Sequence, residues 1–180
     1  LPVLILIIPI SLILVQMSCW FKNRPFRPGE TGVISVTLRP DADVMETRVA
    51  VSSAEGLQIQ GEPERISDEN IIRWKFSATN ALDGWIDVKV LHEVLRKTVQ
   101  AGDGLKKLSV FRISGGGMAI LLNPAESAIP NESAVWEIEV AYPARELVLG
   151  SLKVNWLAAC LMLTLVFATA LNFISRAVIK

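Results

Sequence analysis

The sequence predicts a mainly β protein: an antiparallel β-sandwich with a transmembrane α-helix on either side. Three observations carry that expectation. Both ends are apolar runs without a charged side chain, residues 1–21 and 154–174. Between them, apolar residues recur with period two over short stretches, the pattern of half-buried strands. Those stretches return about every ten residues, with Gly, Pro, Asn or Asp between them, which is the spacing of a sandwich.

The ends come first because they fix where the rest must sit. Residues 154–174 number 21, and a helix of that length rises about 32 Å, close to the roughly 30 Å hydrocarbon core of a bilayer. Lys153 closes it on one side, Arg176 and Lys180 on the other. The first run reads LPVLILIIPISLILVQMSCWF. It has no basic start and is longer than the apolar core of a signal peptide, so a retained transmembrane helix is expected. Lipidation of Cys19 would call for small residues where the bulky Gln16 and Met17 stand. Pro9 should kink or locally break this helix. Trp20 and Trp156 end and begin the two runs on the domain side, where an indole is buried at headgroup level with its N–H wet. Because the chain opens on Leu1, the first run can equally be the last of several helices.

Residues 22–32, KNRPFRPGETG, form a proline-punctuated basic linker; Pro25 and Pro28 disfavour helix, and Lys22, Arg24 and Arg27 are within reach of lipid phosphates. The sandwich domain follows over 33–150. Strands are expected at 33–38, at 46–52 with Val49 and Val51 together, and at Leu57 and Ile59 before Gly61 and Pro63. Residues 70–79 are the clearest, with Ile72, Trp74 and Phe76 on one face and Arg73, Lys75 and Ser77 on the other. Asp83-Gly84 then reads as a turn into 85–90. His92 marks a second turn into 95–99, and 106–113, 118–122 and 133–142 complete about nine strands. The last helix is placed at 151–175 with a basic tail at 176–180.

The run from Ile66 to Gln100 resembles the middle of an immunoglobulin-like sandwich. A strand carries a central tryptophan (IIRWKF), a polar stretch ends in Asp-Gly, and a hairpin follows (WIDVKVLHEVLRKTV). The cysteine pair of antibody domains is absent, so the resemblance implies architecture alone.

Chemistry is sparse. Lysine plus arginine and aspartate plus glutamate both total 18, so no net field draws nucleic acid, and no nucleic-acid partner is expected. Both cysteines, Cys19 and Cys160, lie in or beside the apolar ends, so no disulfide framework braces the middle. A lone His92 cannot build a zinc site without cysteine or carboxylate partners at ligand spacing. Ser114-Gly115-Gly116-Gly117 lacks the Lys-Ser/Thr of a phosphate loop. Glu62, Glu64, Asp68 and Glu69 lack the alternation of a calcium loop. No catalytic residues, metal or cofactor are therefore expected, and no small-molecule substrate can be identified.

What remains is interaction. Cys160, Thr164 and Ala168 recur every four residues in the last run, a small-residue stripe that would let another helix approach. The reading is an integral membrane protein, not an enzyme, whose β-domain binds or scaffolds as a subunit or accessory of a larger membrane assembly. The alternative is the C-terminal part of a multi-helix transport or insertion protein. The bilayer and other membrane-protein subunits are the expected partners. Lys22, Arg24, Arg27 and Lys153 on the domain side outnumber Arg176 and Lys180, which taken alone places the domain in the cytoplasm. A loop this long translocates largely regardless of charge, however. By fold analogy the domain is expected outside the cytoplasm, at the plasma membrane.

Overall fold

In the computed structural model, residues 2–117, 121, 123–149 and 152–178 are described. They fall into two units, Leu1–Pro143 and Ala144–Lys180. The first begins with helix α1, Pro2–Phe21, which runs through Pro9. Eight strands follow: β1 Thr31–Leu38, β2 Val49–Ser53, β3 Leu57–Ile66, β4 Ile71–Ala78, β5 Leu82–Val90, β6 Glu93–Ala101, β7 Phe111–Ile113 and β8 Val135–Val140. The second unit holds the hairpin β9 Leu147–Leu149 and β10 Leu152–Val154, then helix α2, Trp156–Val178.

The chain is mainly β, and its sheets are antiparallel. One sheet has the order β3-β4-β1-β8-β7, the other β2-β5-β6. Period-two patterning decides both. Ile34, Val36 and Leu38 of β1, Ile72, Trp74 and Phe76 of β4, and Ile86, Val88 and Val90 of β5 all point inward. They join one buried cluster drawn from both sheets, as in a β-sandwich. Trp74 is only 3% exposed.

Several expectations need correction. Asp83 and Gly84 lie inside β5, paired with Gln100 and Val99, rather than in a turn. A Cβ on Gly84 would meet Leu82 Cδ1 at 2.2 Å, so this glycine admits the leucine over the strand. The short strand at 57–59 does not stop at Gly61 and Pro63: β3 continues to Ile66 through a register shift between Gln60 and Glu64. The strand expected at 133–142 forms as β8, with its alternation broken at Trp136. Leu38 opposes Val135 while Thr37 opposes Glu137, so Trp136 is the extra residue of a bulge. That bulge lets both Val135 and Ile138 face inward and leaves Trp136 46% exposed under Arg39, whose guanidinium lies 5.3 Å from the ring centroid. The strand expected at 106–113 contracts to Phe111–Ile113, and that at 118–122 lies largely outside the described residues.

Residues 22–32 are more than a linker. Phe26 is 1% exposed, stacks on Tyr142 at 4.9 Å and meets Phe76 edge-on at 5.2 Å. Gly32 makes room for that pair, since a Cβ there would lie 2.5 Å from Phe76 Cζ and 2.6 Å from Phe26 Cζ. Among the described residues, no helix is long and apolar enough to cross a membrane.

Candidate functional site

An edge strand exposes unpaired N–H and C=O groups that would accept another strand. In β6 these belong to Arg96, Thr98 and Gln100, because the odd-numbered side chains Leu95, Lys97 and Val99 face the core and β5 takes the other ladder side. Nearly all of this edge is occupied. Arg112 Nη1 donates to the Arg96 carbonyl. Thr98 N donates to Glu126 Oε1 at 2.6 Å. Gln100 N donates to the Tyr142 hydroxyl at 3.0 Å, and that hydroxyl donates to the Thr98 carbonyl at 3.5 Å. Phe26 N donates to the Gln100 carbonyl at 3.2 Å, and Gly102 N returns a bond to the Phe26 carbonyl at 2.8 Å. Side chains and one turn of the linker thus stand where a neighbouring strand would.

Behind this edge lies a buried ion pair. Lys97 is fully buried, and its ammonium donates to the Ser109 carbonyl at 2.7 Å, to Ser109 Oγ at 2.7 Å and to Glu126 Oε2 at 2.5 Å. All three of its protons are engaged. Burial pulls its pKa down to about 8, with Glu126 acting against that pull. Burial pushes the Glu126 carboxyl up, but the Lys97 ammonium and the bonds from Lys97, Ser109 and Thr98 outweigh it and hold the group below its ordinary range. Burial likewise pushes the Tyr142 phenol up.

A serine beside a lysine can be a nucleophile and its base. Here the Ser109 hydroxyl accepts from Lys97, whose three protons are all engaged, and donates to Glu126 Oε2. The cluster fastens the 109 and 126 segments to β6. The last turn of α1 is tied to the same segment, Leu108 N donating to the Cys19 carbonyl at 2.8 Å. A cavity of about 200 Å³ there is lined by Ser18, Cys19, Lys22, Leu108, Ser109 and Phe111.

The residues singled out in the sequence lie elsewhere. Arg24 forks its guanidinium onto Glu30, 2.8 Å to each oxygen. Lys22 and Arg27 are exposed, and Trp20 is partly so. Lys153 pairs with Glu146 at 2.7 Å. In α2, Trp156 and Cys160 are half-buried, and Thr164 returns its hydroxyl to the Cys160 carbonyl at 2.8 Å. The side chains of Ala168 and Arg176 lie outside the described residues. His92 is exposed at the β5–β6 turn, as expected. Among the described residues, no three His, Cys, Asp or Glu side chains gather as a metal site.

Comparison with protein-family models, with curated proteins and with solved structures gives no match.

Lys97, Ser109, Glu126 and Tyr142 escaped the sequence reading. One signal for them existed. Lys97 falls on the apolar face of its strand, between Leu95 and Val99, and a cation there demands a buried partner. Nothing local identifies that partner as Glu126, 29 positions away.

Proposed function

We propose that this chain is a membrane-anchored, immunoglobulin-like binding or scaffolding protein, a subunit or accessory of a larger membrane assembly. The observation that carries the anchoring is the apolar character of the helices around their circumference. Ile8 and Ile13 of α1 and Leu161, Leu165 and Phe167 of α2 are 58–67% exposed. Such surface is costly in water and favourable in lipid. The spanning reading rests on the charge-free sequence of residues 1–21 and 154–174, since among the described residues no helix is itself long and apolar enough to cross. An exposed apolar face is also open to protein, so the assembly reading and the lipid reading support each other.

The finer architecture rests on strand order. Constant-type immunoglobulin domains have sheets ordered A-B-E-D and C-F-G. With β1 to β6 in the positions B to G, the orders β8-β1-β4-β3 and β2-β5-β6 match, and β8 stands in for the first strand. The central tryptophan then lies on the E-position strand rather than on C, unlike antibody domains. The domain is assigned to the extracytoplasmic side of the plasma membrane by fold analogy.

Two measurements test this. After alkaline extraction of membranes from expressing cells, the full chain should remain in the pellet; recovery in the supernatant would overturn the anchoring. Detergent-solubilised full chain should co-purify defined membrane proteins, and capture of none would overturn the assembly role.

A further inference from the structure

The two edges of the three-stranded sheet are treated differently, and that contrast carries an inference that rests on the binding role above. The β6 edge is filled. At the opposite edge, Ala54 N donates to the Trp85 carbonyl, so even-numbered residues of β2 face β5 and the backbone groups of Val49 and Val51 face outward. Among the described residues, no hydrogen bond reaches those outward groups. The strand itself, VAVSS, has no charge, lysine or proline of the kind that blunts an edge.

Beside it runs a groove of about 580 Å³ lined by Arg48, Ala50, Lys89, Leu91, His92 and Glu46. Arg48 and Lys89 form no ion pair among the described residues. Two cations therefore face one carboxylate, Glu46. The nearby Asp87 is engaged by Arg96 through both oxygens. Leu91 sits in the same groove at φ 53, 71% exposed, in a backbone conformation that branched side chains rarely adopt.

We propose that β2 is a docking strand for an extended acidic peptide segment of a partner protein. The segment adds to the sheet through the outward groups of Val49 and Val51, and its carboxylates lie over Arg48 and Lys89. Strand addition supplies affinity from the main chain, and the flanking groove supplies the preference for acidic side chains.

The test uses full chain in detergent and two labelled heptapeptides of alternating valine and threonine, one carrying two glutamates and the other two lysines. The glutamate peptide should bind saturably and at least about tenfold more tightly than the lysine peptide. Arg48→Glu with Lys89→Glu should reverse that preference. Val51→Pro removes an outward N–H and no ladder bond, while trimming a side chain packed against the core, so it should weaken binding at least about tenfold while unfolding stays cooperative. If Val51→Pro fails to fold, the exposed charge-reversal pair decides alone. No saturable binding, equal binding of both peptides, or a folded Val51→Pro that binds like wild type would overturn the proposal. So would a wild-type dimer abolished by Val51→Pro, which would assign the edge to a second copy. Natural partners captured equally by wild type and Val51→Pro would overturn the docking strand and leave the binding role standing. Capture by neither would overturn the binding role itself.

Discussion

Lys97 shows how much a single side chain organises. A buried ammonium with three acceptors is tolerable; one without its counter-ion is not. Glu126→Gln should therefore destabilise the full chain by about 3–5 kcal/mol, the usual range for leaving one buried charge unpaired. At roughly 2–4 °C per kcal/mol for a domain of this size, its melting transition should drop by at least about 6 °C. Lys97→Met with Glu126→Gln should recover part of that loss, because both charges then leave the interior. Circular dichroism melts in detergent check both. A single variant melting within about 2 °C of wild type would mean that water already reaches the pair.

At the scale of the element, the edge of β6 is the feature with a mechanical consequence. Arg112, Glu126 and Tyr142 satisfy the groups through which a foreign strand would pair. Arg112→Met with Tyr142→Phe frees the Arg96 carbonyl and the Gln100 N–H while the buried ion pair stays intact. This double variant should convert a monodisperse detergent complex into larger species, seen by light scattering, at a concentration where wild type stays uniform. An unchanged size distribution would show that the segments crossing the edge suffice without those side chains. The β2 edge, uncharged and open, provides the internal comparison.

At the scale of the whole molecule, three carboxyls among the described residues are held below their ordinary range. The Arg24 fork lowers Glu30 from 4.5 to about 2. The bonds from Arg96 lower Asp87, and Lys97 with its neighbours lowers Glu126 against the push of burial. A carboxyl with a depressed folded pKa contributes stability that is fully present above its unfolded pKa. That contribution is lost as pH falls through the folded value. Stability should accordingly fall steadily as pH drops from about 4.5 towards 2. Glu30 is partly exposed, so salt screens its share. Melts between pH 6 and 2.5 check this: Glu30→Gln and Glu126→Gln should each flatten the acid limb. A limb as steep in both variants as in wild type would place the linkage elsewhere.

Much of this was legible in the residues themselves. The alternation of Ile72, Trp74 and Phe76, and of Ile86, Val88 and Val90, determined which face of each strand is buried, because a period of two leaves no other choice beside water. The charge-free ends determined where apolar helices form. What the sequence could not carry was anything depending on residues brought together from a distance. Phe26 reads as part of a polar linker until Phe76 and Tyr142 close around it. Asp83-Gly84 reads as a turn until β6 pairs with it. The polar cap on β6 draws on Phe26, Arg112, Glu126 and Tyr142, four positions with no shared local pattern. Local periodicity sets the faces of single strands, whereas hydrogen-bond satisfaction at an edge is settled only when every strand has found its neighbour.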